Sequence, residues 1–137
     1  MHENTEAPTA VKLPQPRGLG ARERALVDWF LDGPVGSPEL RAQADAAVVW
    51  ATCSCGCPSV HLEVPSTVSS AALDSNDPDV RSGEDASFTA RASSPDGREL
   101  DVILHIVAGR LVELEIWAGA FGGDPRIELP DFSTLTR

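Results

Sequence analysis

The chain is short of basic charge. Its 137 residues hold 11 Lys and Arg against 21 Asp and Glu, a net charge of −10 at pH 7. Nucleic acids and anionic membrane surfaces both need a basic footprint, so neither is expected as a partner. A charge-steered partner would be a basic protein. Lysine is nearly absent, with Lys12 standing alone among arginines, and tyrosine is missing. Together with abundant Ala, Asp, Gly and Pro, this usage suits a high-GC bacterial source. No stretch approaches the ~18 apolar residues of a membrane span, and residues 1–18 lack the apolar run of a secretory leader. Cytoplasmic localisation is therefore expected. Also missing are G-x-S-x-G, the P-loop and G-x-G-x-x-G, so neither a nucleophile elbow nor a nucleotide cradle has support. Cysteine is scarce, and the three present, Cys53, Cys55 and Cys57, are too few and too close together for a disulfide framework.

What remains is ordinary globular composition, 42% hydrophobic and 23% charged. The length suits one domain, which at this size buries roughly 68% of the surface its unfolded chain exposes and needs no staple. Residues 1–18 carry Pro8, Pro14, Pro16 and Gly18 among polar residues without a hydrophobic period. They read as a disordered tail, and removing residues 1–17 is expected to leave the fold intact. A single α+β domain is then expected over residues 19–137.

Ala25, Leu26, Trp29 and Phe30 fall at helical spacing within Ala21 to Leu31, and Gly33-Pro34 is a stop signal. Trp29 and Phe30 read as core anchors. A second helix opens at Ser37-Pro38-Glu39, where Ser caps, Pro takes the first helical position and Glu meets the positive end of the dipole. Strand character follows at Val48 to Thr52. Ser59 to Val64 alternates, with Val60, Leu62 and Val64 on one face and His61 and Glu63 on the other. Residues 66–86 read as a long acidic surface loop holding at most one short strand near Val68 to Leu73. Its Asp74 to Asp79 stretch is no EF-hand, because Pro78 takes the fifth position and no Gly follows at the sixth.

Ala86 to Ala92, Leu100 to Val107 and Leu111 to Trp117 complete the expected strands. In the last two, Leu100, Val102, Leu104 and Ile106 must meet Val112, Leu114 and Ile116, all even-numbered. A two-residue loop at Ala108-Gly109 gives pairs with an odd sum and opposes Leu104 to Glu113. A three-residue loop or a bulge is therefore expected, with Gly109 at positive φ. The Gly- and Pro-punctuated end, with Phe121, Ile127, Leu129, Phe132 and Leu135, reads as an irregular segment crossing the sheet or covering an edge. The expected fold is α+β: two N-terminal helices packed on a four- to five-stranded antiparallel sheet, closed by that irregular C-terminal segment.

Cys53-Ser54-Cys55-Gly56-Cys57-Pro58 is the sharpest chemical signal. Three thiolates with His61 or His105 as fourth ligand suit tetrahedral zinc. Against this, alternate Cα atoms on an extended strand lie ~6.6 Å apart, whereas sulfurs sharing one zinc lie ~3.8 Å apart, unless Gly56 bends the chain. A C-x-C redox pair is a second reading, weakened by the lack of a nearby basic residue. The plain alternative is core packing at a strand end, so no cofactor is expected. His105 faces Glu113 if paired numbers sum to 218, as a base with its orienting group or as an ordinary cross-strand polar pair. Glu113, Glu115 and His105 thus form a candidate interaction face.

Several stretches resemble a family of small uncharacterised actinobacterial proteins. They are Glu39-Leu40-Arg41-Ala42-Gln43, Cys55-Gly56-Cys57-Pro58-Ser59-Val60, Gly109 to Ile116, and Leu129-Pro130-Asp131. The resemblance covers about residues 20–135, with Cys53 an addition to its Cys-Gly-Cys-Pro pattern. It implies no activity and carries over no catalytic residue. The functional expectation is a small acidic non-enzymatic interaction or regulatory module, with a thiol- or zinc-dependent protein built on Cys53, Cys55 and Cys57 as the alternative.

Overall fold

The computed structural model describes residues 9–33, 36–82, 84–118 and 127–137. The elements run β1 (Ala10–Gly18), α1 (Ala21–Leu31), α2 (Pro38–Ala46), β2 (Val48–Cys53), β3 (Val60–Glu63), β4 (Ala86–Ser93), β5 (Glu99–Val107), β6 (Arg110–Trp117) and β7 (Asp131–Thr136). All seven strands join one antiparallel sheet, ordered β1-β2-β3-β6-β5-β4-β7. No helix among the described residues is long and apolar enough to cross a membrane.

This corrects the expected architecture of two helices on a four- to five-stranded sheet. The sheet has seven strands, and the described residues are mostly β, 43% strand against 17% helix. Both additional strands are edges. Ala10–Gly18, inside the expected tail, pairs with β2 from Ala10↔Cys53 to Gly18↔Val48, with a register shift between Lys12 and Arg17. Pro14 and Pro16 fall within that shift, and an edge strand tolerates proline because one side of its backbone has no ladder partner. Asp131–Thr136, inside the expected irregular segment, pairs with β4. Residues 1–8 of the expected tail, Pro34 of the helix stop, Gly83 of the acidic loop, and Gly119, Phe121, Gly122, Gly123 and Pro125 of the C-terminal segment lie outside the described residues.

Helix α1 ends at Leu31, two residues before Gly33, and α2 opens at its Ser37-Pro38 signal. Ser37 Oγ accepts from the Leu40 N–H at 3.2 Å, and Pro38 takes the first turn of α2. Their apolar side chains, Leu26, Val27, Phe30, Leu31, Leu40 and Ala44, merge into one buried cluster with the even-numbered residues of β4 and β5 and with Leu114 and Ile116 of β6. Trp29 stays half-buried, edge-on to Phe30 and capped by the Arg137 guanidinium 4.8 Å above its ring.

The β5–β6 connection has only two residues, Ala108 (φ 53°) and Gly109 (φ 70°). Pairing starts with an odd sum at Val107↔Arg110 and Ile106↔Leu111, then shifts to an even one at His105↔Glu113 and Leu104↔Leu114. A bulge at Val112 thus restores the parity the core demands. Leu111 fills the buried position in place of Val112, which is left half-buried.

Candidate functional site

The cysteines occupy the turn leaving β2. The Gly56 N–H donates to the Cys53 carbonyl at 3.0 Å, and Gly56 has φ 85°, a left-handed conformation that glycine adopts freely. This turn removes the spacing objection, because extended backbone stops at Cys53. The Cys53 and Cys55 sulfurs lie 3.1 Å apart, and the Cys57 N–H donates to Cys55 Sγ at 3.3 Å. All three sulfurs fall within 4.8 Å of one another, a spread that includes the ~3.8 Å of a shared tetrahedral ion. All three are free thiols.

Two anchors hold the turn. On one side Ser54 exchanges two hydrogen bonds with Thr9: its N–H donates to the Thr9 carbonyl at 2.8 Å, and its Oγ accepts from the Thr9 N–H at 2.9 Å. On the other, Cys57 Sγ donates to Ser59 Oγ at 3.3 Å, and Ser59 Oγ accepts from the Ile116 N–H at 2.8 Å. Cys57 is buried, whereas Cys53 and Cys55 are partly exposed, so the thiol group runs from core to surface.

Neither histidine considered as fourth ligand joins this group. His61 lies beside Trp50 and points Nε2 at Glu113 Oε2, 4.0 Å away. His105 belongs to a second cluster on the sheet face opposite the helices. Register places His61, Glu113, His105 and Ser87 abreast across β3, β6, β5 and β4. His105 Nε2 contacts Glu115 Oε1 at 2.8 Å, two residues along β6 from its register partner Glu113. Its Nδ1 meets Ser87 Oγ at 2.9 Å, and Arg81 donates to the same hydroxyl at 2.8 Å.

The two carboxyls are driven apart. Burial pushes Glu113 up, Glu115 beside it adds to the rise, and the two histidines only partly oppose it. For Glu115 the bond from His105 comes first, and with the Trp117 side chain it outweighs burial and lowers the carboxyl. Glu113, Glu115, His61 and His105 each expose about a quarter of their side chains, 25%, 23%, 24% and 25%. The candidate interaction face is thus a half-buried, internally bonded cluster.

Sequence reading placed His105 opposite Glu113 but missed three features. Ser87 shows no signal beyond its odd position on an alternating strand. His61 enters because β3 pairs with β6, a long-range pairing that local periodicity does not reveal. Arg81 arrives from the acidic loop, where the Val80↔Ala86 bridge folds it back onto β4. No family model, curated protein or solved structure matches the chain.

Proposed function

We propose that the chain is a small non-enzymatic protein that binds a soft cation, copper(I) or zinc(II), through Cys53, Cys55 and Cys57. The observation that carries this reading is the convergence of three free sulfurs around the Gly56 turn. Thiolates select soft ions; three suffice for a trigonal copper(I) site, or for zinc with water as fourth ligand. Cys57 fixes the site to the core, and the partly exposed Cys53 and Cys55 give an ion its way in. A reducing cytoplasm would keep the thiols available. The proposed kinship with the Cys-Gly-Cys-Pro family accounts for Cys55 and Cys57, while Cys53 is the third ligand particular to this chain. A module for a basic partner built on His105, Glu113 and Glu115 has less support, because His105 bonds to Glu115 and Glu113 faces His61.

The test is native mass spectrometry of reduced protein after incubation with copper(I), beside the Cys55→Ser variant. One ion per chain, with affinity lowered at least ~100-fold in the variant, is the expected result. Equal uptake by the two chains would overturn the proposal, as would no uptake by either.

A further inference from the structure

We propose a second, chemically distinct metal site on the open face of the sheet, in which His61, His105, Glu113 and Glu115 bind a borderline divalent cation of the zinc type. Three strands contribute, and register alone aligns His61, Glu113 and His105 side by side. The ligand atoms of His105, Glu113 and Glu115 already lie within 4.8 Å of one another, and His61 Nε2 lies 4.0 Å from Glu113. Ligands 2.0–2.2 Å from a tetrahedral ion sit ~3.4 Å from each other. The 2.8 Å contact between His105 and Glu115 must open slightly and the 4.0 Å contact must close, both small side-chain rotations.

The surroundings supply what a ligating imidazole needs. Metal-binding histidines are oriented by a hydrogen bond at the other ring nitrogen, and Ser87 Oγ, itself held by Arg81, occupies that position at Nδ1 of His105. Glu115 is likewise fixed by Trp117. Two carboxylates side by side in a half-buried setting repel each other, and a dication between them turns that repulsion into attraction. The donor set has two imidazoles, two carboxylates and no sulfur. It suits zinc, cobalt or iron(II) rather than copper(I), so copper(I) is left to the thiol turn alone. When the ion takes Nε2, the proton of the neutral ring resides on Nδ1 and is donated to Ser87 Oγ, which can accept it.

Cobalt(II) distinguishes the two sites, because sulfur ligation gives intense charge-transfer absorption and nitrogen–oxygen ligation does not. Anaerobic titration of the full chain should show two equivalents, only one carrying charge-transfer bands. Cys55→Ser should abolish those bands and keep the second equivalent; in that background Glu113→Gln should weaken it at least tenfold. Nitrogen NMR of the Cys55→Ser chain supplies a readout that does not depend on the folding of the Glu113 variant. On adding zinc(II), both rings should hold Nδ1–H with an unprotonated, metal-shifted Nε2. No cobalt on Cys55→Ser, cobalt affinity indifferent to Glu113→Gln, or unchanged ring nitrogens would each overturn the second site. The charge-transfer bands judge the thiol site separately.

Discussion

Gln43 Nε2 donates to the Gly109 carbonyl at 2.8 Å from a side chain that is fully buried. The same amide nitrogen donates to the Ser69 carbonyl at 3.0 Å, and Oε1 accepts from the Leu111 N–H at 3.0 Å. One side chain of α2 thus clamps the β5–β6 turn, the start of β6 and the acidic loop. The loop closes the contact from its own side, since the Ala71 N–H donates to the same Gly109 carbonyl at 2.8 Å.

Gln43→Leu should therefore destabilise the fold although it adds apolar surface. The Leu111 N–H loses its Gln43 acceptor, and a buried group left unpaired costs about 1–3 kcal/mol; the Ser69 carbonyl loses its Gln43 donor as well. A loss of unfolding free energy of at least ~1 kcal/mol, read from the lowered urea midpoint, is the expected outcome. An unchanged midpoint would mean that water or other groups satisfy them.

The turn itself offers a pair of opposite effects. Ala108 and Gly109 both hold left-handed backbone, and Ala108 is exposed. Asn at the first position is the residue such two-residue turns favour, so Ala108→Asn should raise stability by up to about 1 kcal/mol. Gly109→Ala should lower it by more than that, since its Cβ collides with the Ala71 carbonyl besides adopting positive φ. Thermal melts of the two variants check both signs.

Among the five inner strands, β3 to β6 are legible because each buries one face and alternates accordingly. Strand β2 is legible because β-branched and aromatic residues follow one another from Val48 to Trp50. Edges β1 and β7 are not, since β1 exposes nearly every residue and β7 buries only Leu135. Where neither face is covered, periodicity has nothing to record, and Pro14 and Pro16 argue actively against a strand. Parity exposed the hairpin irregularity but left its position open between loop and bulge. At the candidate sites, Cys spacing weighed against a shared ion only while the strand stayed extended, and Gly56 turns the chain. His61 and His105 were assigned the right face, but the β3–β6 pairing that unites them with Glu113 is non-local.

Acid should weaken the junction of β1 and α1 through Glu23. This buried carboxylate accepts from Arg17 Nη1 at 2.8 Å, from Arg17 Nη2 at 2.9 Å and from the Gly20 N–H at 2.7 Å. Burial alone would raise its carboxyl, but the Arg17 and Gly20 bonds outweigh it and hold it below its usual 4.5. A depressed folded value contributes stability that is complete above the unfolded value and lost as pH falls through the folded one. Glu23→Gln should cost about 1.5–3 kcal/mol near neutrality. Its deficit against the parent should then shrink below about pH 4. Melting temperatures of both chains across that range decide it, and a constant gap would assign the loss to packing.

The last prediction concerns the N-terminal strand, whose removal should damage both the sheet and the thiol site. A chain beginning at Gly18 loses the β1–β2 ladder, the Arg17 fork on Glu23 and the Thr9–Ser54 pair. Val49 of β2 is fully buried in the core, so β2 is held from its core face, yet its outer backbone groups would become an open edge. Stability should drop by about 2 kcal/mol or more, since an edge ladder and a charge-assisted bond are lost together. Self-association through the new edge should appear in sedimentation. Thr9 pins Ser54, the residue between Cys53 and Cys55, so losing it frees the turn to spread its sulfurs. Soft-cation affinity should fall beyond what the loss of stability explains. A chain beginning at Thr9 keeps all these contacts and serves as the control. Were the shorter chain to match it in melting temperature, association state and copper(I) affinity, β1 would be dispensable and the thiol turn would owe its shape to Gly56 and the Ser59 anchor alone.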